Sequence, residues 1–153
     1  MYLLRSTWQL DISRCKIGSE GGKALSSTLV TNSSIKMVNI SSNSLRAEGM
    51  TAMAEALKVN KTVTNVDVSD NEIGGFKQGS DWKSTPEGPA ALAEALKVNT
   101  TMQWVHVSQN SLGPEGGKAL ASALQSNTSI TTVSQKSLCC RPPRLEILMF
   151  VAN

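Results

Sequence analysis

Three cysteines in 153 residues are poor material for a disulfide framework, and two of them, Cys139 and Cys140, are adjacent. A reducing, cytoplasmic setting is the expectation that follows. Long apolar runs are also missing. The opening MYLLRSTWQLD holds none that would serve a signal peptide, and Ile147 to Ala152 is far too short to span a bilayer. The formal charge is only +3, and no Lys/Arg cluster carries interleaved aromatics, which argues against a nucleic-acid partner as the lack of a span argues against a membrane. No catalytic constellation is evident, so neither a cofactor nor an enzymatic reaction is expected.

What is present is a folded chain of one domain, with 40% apolar and 18% charged residues. It repeats. EALKVNKTVTNVDVSDNEIG (55–74) is answered by EALKVNTTMQWVHVSQNSLG (94–113). An asparagine follows each short apolar alternation, at Asn43, Asn71 and Asn110, with Cys15 in the same place earlier. The intervals are 28, 28 and 39, the last being one period plus an insertion of 11 residues near 75–85. Each unit reads apolar-x-x-apolar-x-apolar-x-x-Asn-x-apolar. The pairs Leu10/Ile12, Val38/Ile40, Val66/Val68 and Val105/Val107 signal short strands over 10–12, 38–40, 66–68 and 105–107.

A helix is predicted in each unit, over 20–30, 48–59, 87–98 and 115–126. The i,i+4 pairs Leu25/Leu29, Met53/Leu57, Leu92/Leu96 and Leu120/Leu124 mark one face. Pro86 and Pro114 sit at helix starts, where a missing N–H costs nothing. Asn32, Asn60, Asn99 and Asn127 follow the helix ends, where a left-handed closing residue is predicted. With Asn39 these make five N-x-S/T patterns. Four recur at one repeat position, so the repeat explains them without glycosylation.

A strand–turn–helix unit of this size cannot bury its own apolar edge, so units must stack into one core. Strands line one side at ~4.8 Å spacing. Helices, ~10 Å wide, line the other, and the stack curves with the strands inside. The predicted fold is therefore an α/β solenoid, a horseshoe segment with all strands parallel in one sheet. Four full repeats and a degenerate fifth occupy 1–138; the fifth begins with Ile130 and Val133 but carries Lys136 where asparagine is expected. Residues 139–153 form a divergent tail.

These motifs resemble the ribonuclease-inhibitor-like class of leucine-rich repeat, LxxLxLxxNxIGxxGxxALAxAL, found also in NOD-like receptors and the Ran GTPase-activating protein. VTNVDVSDNEIG (63–74), MQWVHVSQNSLG (102–113) and EGGKALASAL (115–124) carry the likeness, which covers about residues 7 to 133. It implies that Cys15, Asn43, Asn71 and Asn110 form a structural ladder inside the turns, in agreement with the need of buried turn groups for partners.

Strand residues that point away from the core form columns. The central column is Asp11, Asn39, Asp67, His106. Beside it run Ser13, Ser41, Ser69, Ser108, read as space-savers, and Gln9, Met37, Asn65, Trp104. Asp67 and His106 read as an exposed, solvated pair. None of the three tryptophans occupies a core position: Trp8 and Trp104 face the concave side and Trp82 lies in the insertion with Phe76 and Lys83. Exposed tryptophan is enriched in binding hot spots, and loops on a rigid scaffold often carry recognition. The candidate partner-binding set is thus Trp8, Asp11, Met37, Asn39, Asp67, Phe76, Trp82, Lys83, Trp104 and His106, with the insertion expected to share one surface with Trp104. The function read from this is a protein-interaction module with a protein partner. The repeat class alone leaves two alternatives, a GTPase-activating protein of the Ran type and an inhibitor of the ribonuclease-inhibitor kind.

Overall fold

The computed structural model describes residues 8–134 and the short strand Met149–Phe150. Five three-residue strands, β1 (Gln9–Asp11), β2 (Met37–Asn39), β3 (Asn65–Asp67), β6 (Trp104–His106) and β7 (Thr132–Ser134), pair in parallel in that order. Helices α1 (Gly18–Thr31), α2 (Arg46–Val59), α3 (Glu87–Val98) and α4 (Gly113–Ser126) return the chain between them and pack in sequence. This is the α/β solenoid with parallel strands and a layer of helices that the repeat requires.

Each strand begins one residue earlier than its apolar pattern predicts. From the second unit on, the last apolar residue of the pattern, such as Ile40 or Val68, is buried and already turning. Its N–H still bonds the next strand, Ile40 N to Asp67 O at 2.9 Å. The N–H after it leaves the ladder: Ser41 N donates to Asn39 Oδ1 and Ser69 N to Asp67 Oδ1.

Not all strands are parallel in one sheet. The insertion folds as an antiparallel hairpin of its own, β4 (Gly75–Gln78) and β5 (Asp81–Ser84), closed by the two residues Gly79 and Ser80. Gly79 takes φ 65°, which glycine adopts without steric cost. In the tail, β8 (Met149–Phe150) pairs antiparallel with β7 and closes the main sheet's far edge. Lys136, Cys139 and Cys140 lie outside the described residues, as do residues 1–7.

The turns after the strands are built by alternation. Arg14 and Lys16, Ser42 and Ser44, Asp70 and Glu72, and Gln109 and Ser111 all hold φ between 51° and 59°. The residue between each pair is Cys15, Asn43, Asn71 or Asn110. Alternating handedness makes successive N–H groups converge, as in an anion-binding nest. Here the acceptor is a side chain from the next repeat. Asn43 Oδ1 receives Cys15 N and Ile17 N; Asn71 Oδ1 receives Asn43 N and Leu45 N. The same amides donate backwards, Asn71 Nδ2 to Ile40 O at 2.9 Å and Asn110 Nδ2 to Val68 O at 2.8 Å. Asn43, Asn71 and Asn110 are buried, while Cys15, at the first described turn, is exposed because no described turn stacks outside it.

The asparagines after the helices do not close them in the left-handed conformation. Asn32, Asn60, Asn99 and Asn127 are extended, with φ from −91° to −67° and ψ from 123° to 131°. Their side chains form a second ladder. Asn60 Nδ2 donates to Leu29 O and Asn32 O, Asn99 Nδ2 to Leu57 O and Asn60 O, and Asn127 Nδ2 to Leu96 O and Asn99 O. Last-turn helix carbonyls, which have no partner within the helix, are thereby satisfied. The Oδ1 atoms cap the following turn, as in Thr101 N and Met102 N to Asn99. The Ser or Thr two residues on, as Thr62 or Thr101, bonds both the asparagine and the previous repeat. The N-x-S/T pattern at these positions is the residue demand of that ladder.

The core runs unbroken between sheet and helices, with Val38, Val66 and Val105 from the strands and Met53, Leu57, Leu92 and Leu96 from the helices. Ile12, Ile17 and Leu25 of the first unit are only partly covered. The helices meet closely at their first turns: a Cβ on Gly88 of α3 would come within 3.1 Å of the Ala47 Cα of α2.

Candidate functional site

The parallel register fixes the columns. Gln9, Met37, Asn65, Trp104 and Thr132 stand side by side, as do Asp11, Asn39, Asp67, His106 and Ser134. The intervening strand residues face the core, so these two columns face the concave side. Their fifth members, Thr132 and Ser134, were hidden in the sequence because the fifth unit loses its asparagine.

The central column is wired rather than merely solvated. Asn39 Nδ2 donates to Asp11 Oδ2 at 3.1 Å. Asp67 Oδ1 accepts from Ser69 N at 2.9 Å and Ser69 Oγ at 2.6 Å, and its Oδ2 lies 3.1 Å from His106 Nδ1. His106 Nε2 lies 2.7 Å from Ser108 Oγ. The Asp67 and His106 side chains are only 20% and 26% exposed, so the expected solvated pair is instead a shielded, hydrogen-bonded one. The serine column does more than save space: Ser41 and Ser69 donate to the residue two before them and hold it in place. Asp67, His106 and Ser108 follow the order of a proton relay, but Ser108 is buried, at 4% exposure. Among the described residues no group of three or more His, Cys, Asp or Glu is placed to hold a metal ion. At the outer end, the Ser13 N–H holds the Asp11 carboxyl below the usual carboxylate range.

Trp104 stands against this column. Its ring meets His106 edge-on, with centroids 5.6 Å apart and planes at 60°. Together with Met37, Asn39, Asn65 and Asp67 it lines a concave recess of about 150 Å³, completed by Gln9 and Val38. The structure thus gathers Met37, Asn39, Asp67 and Trp104 in one place, with His106 beside them and Asp11 at the end of the row. Trp8 is elsewhere. It lies at the head of β1, in register with Lys36, and is 42% exposed.

The hairpin residues form a separate group. Phe76 lies under the Arg46 guanidinium, 4.3 Å from the ring centroid, with Lys83 Nζ at 5.9 Å. Arg46 also pairs with Glu72 at 3.4 Å. The Trp82 ring covers Gly75, where a Cβ would meet it at 2.7 Å, yet the residue is 54% exposed. Outside itself the hairpin contacts α2, not β6. No contact between the hairpin and β6 supports the single surface expected for Trp82 and Trp104. The Arg46–Phe76 contact draws the insertion back toward the second repeat.

A family model described as Leucine Rich repeat matches residues 9–26, 31–54, 59–75 and 98–121, more than half of the chain. The chain belongs to the leucine-rich repeat family. No curated protein matches it in sequence. Among solved structures it is similar to Leiomodin-1 Actin-Binding Site 2, with TM-score 0.72 and 20% identity over 84% of this chain and 70% of that one. It is also similar to the Caenorhabditis elegans tropomodulin C-terminal domain, with TM-score 0.69 and 15% identity over 86% and 74% of the two chains. At these identities the likeness is one of fold. No helix among the described residues is long and apolar enough to cross a membrane.

Proposed function

We propose that this leucine-rich repeat chain is a protein-interaction module that seats a partner segment on its concave face, centred on Trp104. The observation that carries the reading is the recess between Met37 and Trp104, bordered by a polar column whose side chains are already fixed by hydrogen bonds. A preorganised surface loses little side-chain freedom on binding, and a half-buried aromatic at its centre supplies the anchor that hot spots use. Trp8 and the hairpin residues Phe76, Trp82 and Lys83 would be separate, outlying contacts.

Leiomodin-1, similar in fold, is named for an actin-binding site, so actin is the first partner to try. The finer assignment to the ribonuclease-inhibitor class rests on the repeat motif alone. The Ran-type alternative rests on the repeat class alone: Arg46 is engaged by Phe76 and Glu72, and exposed Arg14 carries no motif that matches it to a functional arginine. A cytoplasmic setting accords with the second ladder, which engages the side-chain nitrogens of Asn60, Asn99 and Asn127.

The test is retention of actin, or of another protein, on the intact chain, followed by hydrogen exchange of the complex. Protection is expected at 37–39, 65–67 and 104–106. Protection confined to the helices would reject the concave face.

A further inference from the structure

A second recess, of about 480 Å³, opens at the rim where the strands begin. It lies between the heads of β2, β3 and β6 and the loops leading into β3, β6 and β7. Its size falls within the ~300–1,000 Å³ common for ligand sites. Lys36, Lys61, Thr64, Thr100 and Gln103 contribute to its walls, and no carboxylate does.

The two lysines differ from those of the helices. On the helices, Lys23, Lys58, Lys97 and Lys118 each sit within 4 Å of a glutamate three residues before. Lys36 and Lys61 have no carboxylate partner among the described residues; Lys61 Nζ reaches only the Lys58 carbonyl, at 3.5 Å. Both are exposed.

The hydroxyls set a second demand. Thr62, Thr101 and Ser129, which also line the recess, each donate inward, to the second asparagine ladder or to a carbonyl of the previous repeat. Thr64 Oγ1 donates to Lys36 O or Asn65 Oδ1. A hydroxyl has one proton and two acceptor lone pairs, so these four present acceptor capacity to a ligand. The lysines ask for negative charge, and the hydroxyl floor asks for N–H donors. An acidic stretch of polypeptide supplies both, carboxylates from side chains and N–H groups from backbone. An inorganic phosphate ion supplies the charge but only one or two O–H donors, too few to span the row of hydroxyls. Helix carboxyl ends open toward this rim, and their partial negative charge opposes an anion. Asn60, Asn99 and Asn127 cap carbonyls there and reduce that opposition.

We propose that the rim recess docks an acidic peptide segment. The proposal extends the concave-face reading and rests on it. Lys36, Thr64 and Gln103 immediately precede Met37, Asn65 and Trp104, so a segment seated at Trp104 continues directly onto the rim.

The experiment titrates the ¹⁵N-labelled chain with hexaglutamate, with hexaglutamine and inorganic phosphate as comparators. Saturable shifts are expected with hexaglutamate at the amides of Lys36, Thr64 and 100–103. They should weaken with salt and become about tenfold weaker in the Lys36→Ala/Lys61→Ala double variant. That variant's unchanged spectrum elsewhere reports that it folds. Absent shifts, equal affinity in the double variant, or phosphate acting on the same amides at the same concentration would each overturn the proposal. The experiment uses no natural partner and leaves Trp104 intact, so its failure is distinct from failure of the concave-face reading.

Discussion

On the rim where the strands end, each buried asparagine reaches the previous repeat with both ends of its side chain. On the rim where the helices end, it reaches back with one. Asn71 accepts from Asn43 N and Leu45 N and donates to Ile40 O, all in the preceding unit. Asn99 donates to Leu57 O and Asn60 O in the preceding unit but spends its oxygen on its own loop, at Thr101 N and Met102 N. The difference follows from the backbone. The strand-end turns alternate into the left-handed region, and their converging N–H groups need an outside acceptor. The helix-end loops are extended, and their unmet groups are mainly carbonyls.

Removal of the side chain with more bonds across repeats should therefore do the greater damage. Asn71→Ala is expected to cost about 3 kcal/mol, as several buried turn groups lose partners at once. Asn99→Ala is expected to cost about 2 kcal/mol, since fewer cross-repeat bonds are lost. Urea unfolding of both variants checks the order, and a larger loss for Asn99→Ala would break the comparison. At the small end stands the hairpin. Phe76→Ala removes a half-exposed cation–π contact and should cost less than about 1 kcal/mol. Exchange of the hairpin amides should rise in that variant while amides of β2 and β3 stay protected; loosening of both would show that the insertion helps to hold the stack.

The contrast also explains what could be read in the sequence. Period-two alternation places Met37, Asn39, Asn65, Asp67, Trp104 and His106 on one face, and the structure keeps every one of those columns. Asn71 was legible because it follows the alternation at a fixed distance. The second ladder was not, since an asparagine after a helix followed by x-Ser/Thr suits a left-handed cap or a glycosylation signal equally well. The strand ends slipped by one residue because Ile40 and Val68 stay apolar after the chain has begun to turn. The hairpin carried a signal in Gly79–Ser80, but Lys77 and Gln78 dilute its apolar pattern. The direction in which it leans depends on Arg46, one repeat away. Ser108 could not be assigned to His106 from spacing alone, because contact between side chains on the same face of a strand depends on rotamers.

The central claim concerns Trp104, and one variant measured two ways tests it most directly. Trp104→Ala should weaken the retained partner's binding by ~2 kcal/mol or more. Its unfolding free energy in urea should fall by less than about 1 kcal/mol, the loss of one edge-on contact with His106. A variant that unfolds much more easily but binds with undiminished affinity per folded molecule would contradict the account and return Trp104 to the role of a packing residue.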